Sequence, residues 1–523
     1  MNEQNQSKSA FKPVGILLAL TATNCLFAKE APKKLNIIYI MSDDHSYQTI
    51  SAYDKRYINT PNIDRIANEG MLFKNGYVSN SISGPSRAVL LTGKFSHENG
   101  FITNSDHFDG SQQTFPKLLQ NAGYQTAIIG KWHLDSSPTG FDYWNILPEQ
   151  GIYYNPNFIE MGKKVKYPGY VTDITTDLAF DWLSNKRDKS KPFCMLLHNK
   201  APHRTWMPNL KHLGDFDSIN LPIPDNFYDN YGGRDGAAHQ KMSIDRDMNL
   251  IYDLKMADKE GEIASNQTGL DRNGRAILNS LTPEQRNIWD KYYYPIIADF
   301  KARKLVGKEL AEWKFQRYMK DYLSCIKSVD ENIGRLFEYL KENDLLENTV
   351  IIYTSDQGFY MGEHGWFDKR FIYEESFRTP LLIRLPNGMG TMGNTTVFAQ
   401  NIDNAPTILN LAGVAIPKDM QGKSLVPILK GHSQRNFRKA LYYHFYESFD
   451  DHSVSKHYGI RDKRYKLIHF YDPIDAWELY DLKLDPSEMT NVYNNPAYSQ
   501  VVKEMKIKLK KLQLKYKDPI VNQ

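Results

Sequence analysis

Runs of apolar residues, each about six long and separated by longer mixed segments, set the rhythm of this chain. Asn36–Met41 reads NIIYIM, Gln125–Ile129 QTAII, Phe193–Leu197 FCMLL, Asn348–Thr354 NTVIIYT and Leu381–Leu385 LLIRL. Continuous apolarity over such lengths predicts strands covered on both faces, as in a largely parallel sheet. Helical signals fall between them at Asn62–Gly70 and Thr114–Asn121. Tyr322, Ile326, Val329, Ile333, Phe337 and Leu340 recur at helical spacing. Strands alternating with helices predict an α/β sandwich.

Two regions break the rhythm. Residues 205–320 are polar and irregular until Thr282-Pro283-Glu284 opens a helix, and are read as an excursion near the site. The stretch PNGMGTMGNTT at 386–396 is read as a loop. From about Arg435 the segments YYHFY, HYGIRDKRYKLIHFY and WELYDL are short, aromatic and strand-like. They predict a smaller C-terminal α+β domain on an antiparallel sheet. The expected division is a catalytic domain at 35–430 and a C-terminal subdomain at 431–523.

The first 28 residues read as an export signal: Lys8 and Lys12, the apolar run VGILLALTA, then a small residue at Ala28. The run is too short for a membrane span. Cys25 raises lipoprotein anchoring as an alternative, although Thr23-Asn24 before it fits a lipobox poorly. A periplasmic or secreted location is expected. Of three cysteines, Cys194 and Cys325 then remain, in a predicted strand and a predicted helix, as buried thiols. A net charge of +4 from 65 basic and 61 acidic residues leaves no nucleic-acid footprint. It leaves room for a local basic pocket facing an anion.

Chemistry gathers at the strand ends, where open parallel sheets bind ligands. NIIYIM runs into Ser42-Asp43-Asp44, and NTVIIYT into Ser355-Asp356-Gln357. Three carboxylates and an amide in one place repel unless a cation joins them, and oxygen ligands favour Ca²⁺ or Mg²⁺ over Zn²⁺. Gly130-Lys131-Trp132-His133 and Lys200-Ala201-Pro202-His203 follow two further strands, and Lys369 lies shortly after Asp356. Lysines and histidines beside a metal suit a sulfate or phosphate whose charge must be spread in the transition state. Ser83-Gly84-Pro85-Ser86-Arg87, followed by Leu91-Thr92-Gly93, puts a serine at an abrupt helix start. A helix cap explains such a serine; so does a nucleophile placed where backbone N–H groups favour an anion.

Taken together, these motifs resemble the type I, formylglycine-dependent sulfatases of the alkaline-phosphatase superfamily. The carriers are Ser83-Gly84-Pro85-Ser86-Arg87, Asp43-Asp44, Gly130-Lys131-Trp132-His133, Ala201-Pro202-His203, Ser355-Asp356-Gln357-Gly358 and Lys369, in family order from about residue 35 to the end. The resemblance implies an alkaline-phosphatase-like sandwich. It implies that Ser83 is oxidised to formylglycine (3-oxoalanine), whose hydrate is the nucleophile, and that Arg87 steadies it. Asp43, Asp44, Asp356 and Gln357 would hold one Ca²⁺ with residue 83; Gln357 stands where Asn is commoner. Lys131, His203 and Lys369 would bind sulfate, His203 serving as general acid and His133 as the base that releases it. Serine in place of cysteine implies a bacterial host with an anaerobic-type maturating enzyme as partner.

Within that family, DDHSYQTISAY, SPTGFDYWNILPEQGIYYNPNF, KAPHRTWMP and HSVSKHYGIRDKRYKLIHFY resemble bacterial N-acetylglucosamine-6-sulfatases. The implied substrate is a sulfated host glycan, glycosaminoglycan or mucin, with His452 and His457 as candidate sugar contacts. Two readings stay open beside it: a sulfatase for another sugar position, and a phosphatase or phosphodiesterase using unmodified Ser83.

Overall fold

A computed structural model of the chain describes Met1, Ala10 and residues 34–386, 388–432, 437–448 and 452–522. Apart from Met1 and Ala10, the expected export signal, Cys25 with it, lies outside the described residues. Fourteen strands are described, in two sheets. The first ten are β1 Asn36–Ser42, β2 Met71–Tyr77, β3 Gln125–Lys131, β4 Tyr143–Leu147, β5 Asn157–Glu160, β6 Lys163–Lys166, β7 Phe193–His198, β8 Thr349–Ser355, β9 Leu381–Arg384 and β10 Gly393–Gln400. They form one sheet in the order β10-β2-β9-β8-β1-β7-β3-β4-β5-β6.

Its centre, β8-β1-β7-β3-β4, is parallel throughout. β9 runs against both of its neighbours, and β5 and β6 close the far edge antiparallel. Every residue of β1, β7 and β8 is buried, as two covered faces require.

Alternation along β1 sorts the two layers. Ile38 and Ile40 join one core cluster with Tyr322, Ile326, Val329 and Ile333 of the helix Gly307–Glu342. Ile37, Tyr39 and Met41 face the other way, with Leu91 of the helix Ser83–Thr92, Leu119 of Phe115–Asn121 and Ile408 of Asn404–Leu411. The predicted sandwich is what forms. Cys194 and Cys325 are free and buried within it.

One expectation needs correction, and several strands escape sequence reading. The region read as a loop at 386–396 includes the start of β10, which pairs parallel with β2. β2, β4, β5 and β6 carried no strand signal that was read. β6 is the sequence KKVK on the sheet edge, where lysines discourage further pairing; pairing, not composition, makes it a strand. The apolar run at 381–385 is a strand, but its antiparallel direction is invisible in an apolar pattern.

The remaining strands, β11 Ala440–Phe445, β12 Lys456–Asp462, β13 Tyr465–Asp472 and β14 Ala476–Asp481, form an antiparallel meander. Tyr442, Ile460, Leu467 and Leu479 face Met505 and Leu509 of the helix Ser499–Tyr516. Tyr443, Phe445, Ile468 and Phe470 on the other face join the main core. Residues 34–523 therefore form one compact unit. The long excursion holds Pro283–Arg303, opened by a Thr282 capping box with Gln285. Among the described residues no helix is long and apolar enough to cross a membrane.

Candidate active site

The four adjacent parallel strands β8, β1, β7 and β3 end side by side, and each delivers a functional group. β1 runs into Asp43 and Asp44, β8 into Asp356 and Gln357, β3 ends in Lys131 with His133 two residues on, and β7 leads to Lys200 and His203. The approach is close. A Cβ on Gly130 would come 1.9 Å from the His198 carbonyl oxygen, and one on Gly358 2.1 Å from that of Glu375. Asp44, His133, Asp368 and Arg370 hold left-handed backbone (φ 63°, 56°, 78° and 88°). Such conformations in non-glycine residues persist where surrounding structure enforces them.

Ser83 is the first residue of its helix, after Ile82 at the cap position. Its hydroxyl donates to Asp43 Oδ1 at 3.2 Å, with Gln357 Nε2 3.4 Å away. One turn on, Arg87 donates to Asp356 Oδ2 through Nη2 at 2.9 Å and Nε at 3.2 Å, and to the Lys131 carbonyl at 3.0 Å. The hydroxyl of Ser86 donates to the Asp356 carbonyl. The helix start is thereby fixed to two strand ends.

Lys131 pairs with Asp43, and Lys369 Nζ donates to Asp44 Oδ2 at 2.8 Å. His203 Nδ1 donates to the Arg204 carbonyl at 2.7 Å, leaving Nε2 3.6 Å from Asp44 Oδ2. Asp43, Asp44, Asp356, Gln357 and Lys131 are fully buried. All ten sequence-selected residues from Asp43 to Lys369 thus fall in one connected cluster, in which His133 is reached through Gln150.

The electrostatics follow from that crowding. Burial pushes the Asp44 carboxyl up to about 7, helped by Asp43 and Asp356 and opposed by Lys369. Burial, with Asp43 beside it, raises Asp356 to about 6. Burial would raise Asp43 too, but Lys131, His203 and Arg87 hold it well below the carboxylate range. Burial, then the charge of Lys131, holds His133 and His203 well below ordinary histidine.

These donors fit a hard divalent cation. Asp43, Asp44 and His203 bring ligand atoms within 4.8 Å of one another. The buried Gln357 Oε1 has no hydrogen-bond partner, although its amide nitrogen contacts Asp44. Carboxylates raised by burial and mutual repulsion, and an unpartnered amide oxygen, are what an oxygen-seeking cation relieves.

Sequence reading passed over two neighbours. Gln150 accepts from Lys131 Nζ at 2.6 Å and lies 3.0 Å from His133 Nε2. Asp368 takes Arg370 and the Lys369 N–H on Oδ1, and lies 3.3 Å from His452 Nε2 through Oδ2. A turn signal, Pro148-Glu149-Gln150-Gly151 after an apolar run, marked the first; nothing marked the second.

His452 therefore sits beside Lys369, its Nδ1 donating to the Lys241 carbonyl at 2.9 Å. His457 is elsewhere in character. It is fully buried in β12 between Tyr443, Phe371 and Phe470. Its Nδ1 donates to the Ser455 carbonyl at 2.8 Å, and Nε2 accepts from the Ile372 N–H at 3.2 Å. This placement fits packing between the two sheets and not the sugar contact expected from the sequence.

Lysines and histidines gathered with a buried carboxylate cluster and a helix start at the ends of parallel strands are the arrangement of an alkaline-phosphatase-like fold. The chain belongs to the sulfatase family, whose model matches residues 35–414; it is a sulfuric ester hydrolase. A second model, "N-sulphoglucosamine sulphohydrolase, C-terminal", matches residues 362–515. The chain is 51% identical to the N-acetylglucosamine-6-O-sulfatase of Bacteroides thetaiotaomicron over 96% of its own length and 90% of the relative's. It is 28% identical to N-acetylglucosamine-6-sulfatase of Capra hircus over 71% of its length and 60% of that protein's. A solved structure of a protein with its substrate D-glucosamine-2-N,6-O-disulfate superposes with a TM-score of 0.89 at 51% identity, covering 93% of this chain and 99% of the other.

Proposed function

We propose that this protein removes the 6-O-sulfate of N-acetylglucosamine units in sulfated host glycans, with residue 83 as formylglycine and one Ca²⁺ held by Asp43, Asp44, Asp356, Gln357 and residue 83. The observation that carries the reading is the convergence of those oxygen ligands with Lys131, His133, His203 and Lys369 around the helix start at Ser83. The substrate position is supported by what the 51% identical relative is named for and by the sugar in the similar solved complex.

Bound Ca²⁺ would draw charge from the sulfate oxygens, and the formylglycine hydrate would supply the nucleophilic oxygen. The chain's own groups do the rest. Arg87, fixed on Asp356, steadies negative charge at residue 83. The Nζ groups of Lys131 and Lys369 spread the charge that develops on sulfate. His203, held by its Nδ1–H, presents Nε2 as the atom that delivers a proton to the leaving sugar oxygen. Burial keeps that ring neutral until an anion is bound, and an anion favours its charged form. His133 accepts a proton at Nε2 in the second half of the reaction.

Asp368, Arg370 and His452 stand next to Lys369 and are assigned to the sugar hydroxyls. Sites built for hydroxyls reject analogues lacking them far better than apolar pockets reject a methylene. Export, a serine-type maturating partner and the division at 430/431 belong to the same reading.

Mass spectrometry of the Ser83 peptide from protein matured in its host tests the modification, with loss of two hydrogens from serine expected. Desulfation of defined 2-O-, 4-O- and 6-O-sulfated monosaccharides tests the substrate. Full turnover by protein whose residue 83 is plain serine would overturn the first; preference for a 2-O- or 4-O-sulfate would overturn the second.

A further inference from the structure

One side chain ties together the lysine and the histidine on either side of Trp132. β4 ends at Leu147, and the chain turns through Pro148–Gly151, with Gly151 N–H donating to the Pro148 carbonyl at 2.9 Å. Glu149 and Gly151 take left-handed backbone at φ 48° and 65°. Lys200, buried after β7, donates Nζ to the Gln150 carbonyl at 3.0 Å. The turn therefore holds Gln150 over the ends of β3 and β7.

The amide of Gln150 has only one workable orientation. Lys131 Nζ is a donor without acceptor capacity, so the atom 2.6 Å from it must be the amide oxygen. The NH₂ group then faces His133 Nε2 at 3.0 Å. An NH₂ donor can meet that ring nitrogen only where it carries no proton. The remaining ring proton must be on Nδ1, which is buried and makes no hydrogen bond among the described residues. Free neutral histidine prefers the opposite tautomer, with its proton on Nε2. The preference has to be reversed by something, and Gln150 is the group in place to do it. Burial and the nearby Lys131 charge, which keep the ring neutral, are consistent with this.

We propose that Gln150 is a positioning residue that fixes His133 in the tautomer with Nδ1 protonated and Nε2 bare, and so holds it ready as a base. The inference rests on the sulfatase reading for its catalytic meaning, but the tautomer is a property of the protein alone. The amide of Gln150 is anchored by Lys131 on one side, so one residue sets the orientation of both groups.

Two nearly isosteric substitutions separate the outcomes. Gln150→Leu removes the amide, and the tautomer should drift toward protonated Nε2. Gln150→Glu keeps an acceptor for Lys131 but puts a second acceptor against His133, which should place a proton on Nε2. Gln150 is only half-buried, so both variants should fold, which the melting temperature checks. The readout is ¹⁵N NMR of protein labelled at histidine, with the His133 ring signals assigned by their loss in His133→Gln. Wild type should show protonated Nδ1 and bare Nε2, and Gln150→Glu the reverse or the doubly protonated ring. Turnover should fall about tenfold for Gln150→Leu and about a hundredfold for Gln150→Glu, in kcat, with KM within about threefold.

Wild-type protein with a proton on His133 Nε2 would overturn the proposal, as would a Gln150→Glu spectrum unchanged from wild type. Loss of kcat without any tautomer change would assign Gln150 to Lys131 alone and would also overturn it. The expected tautomers in a protein that fails to desulfate every 6-sulfated sugar would leave the proposal standing and remove the substrate reading instead.

Discussion

Two groups of histidines behave in opposite ways. On the face of the C-terminal sheet turned to the main core, His457 uses both ring nitrogens on backbone partners, and on the opposite face His444 uses both on Asp518 and Tyr471. At the strand ends, His133 leaves Nδ1 without a partner, and His203 anchors Nδ1 but holds Nε2 at 3.6 Å from Asp44, longer than a hydrogen bond. Both regions are buried, and both hold charged groups. Satisfied polar groups stabilise and specify a fold, whereas incompletely satisfied ones are costly unless a ligand completes them. The unpartnered Gln357 Oε1 belongs with the second group. What the ring nitrogens meet separates a packing histidine from one placed for chemistry.

The largest test of that contrast is Asp356→Ala. It should lower turnover by about 10³-fold or more, because it removes a proposed cation ligand and the partner of Arg87 together. Chelation followed by elemental analysis should show the same loss with calcium. Activity restored by zinc alone would contradict the oxygen-ligand argument.

Next comes the pair His203→Ala and His457→Ala. His203→Ala should cost about 10²–10⁴ in kcat on a sugar sulfate, with the melting temperature little changed. His457→Ala should do the reverse. It strands the Ile372 N–H and the Ser455 carbonyl and opens a cavity, lowering stability by about 2–4 kcal/mol while kcat per folded molecule stays near wild type. Denaturant unfolding and active-site titration read the two effects separately. If both substitutions damaged activity and stability alike, the contrast would collapse.

His452→Ala probes the boundary between the regions, since His452 lies next to Asp368 and Lys369. A loss of about tenfold in kcat/KM on the sugar sulfate, about 1.4 kcal/mol, is expected, with a much smaller loss on a small aryl sulfate. Equal losses on both would move His452 into the shared machinery.

The last test is in pH. Burial pushes His457 down to about 3. A histidine whose folded value is depressed resists protonation in the native state, so protons favour unfolding. Its contribution is fully present above the ordinary value near 6.5 and is lost as pH falls from there toward 3. The slope from this one residue is at most about 1.4 kcal/mol per pH unit. Urea unfolding at pH 7, 6, 5 and 4 should show wild type and His457→Gln converging as pH falls. Parallel curves would mean that His457 carries no linkage.

Much of the centre was legible along the chain. NIIYIM, FCMLL and NTVIIYT had to be covered strands because nothing else buries continuous apolar residues so briefly. Asp43-Asp44 and Asp356-Gln357 stood at their ends, and a parallel sheet opens its ligand crevice there. Composition and spacing determined these things because burial is a property each residue carries with it.

What the tertiary structure alone decided is which groups meet. β10 and the direction of β9 depend on pairing partners that do not adjoin them in sequence, and β6 is a strand only through its hairpin with β5. His457 and His452 stand five residues apart in one aromatic stretch, yet one is sealed by Ile372 and Ser455 and the other lies against Asp368. Gln150 is an ordinary turn residue until β3 and β4 pair side by side and set it between Lys131 and His133. Hydrogen bonds act over about 3 Å, and only the folded chain brings residues 131, 133 and 150 that close.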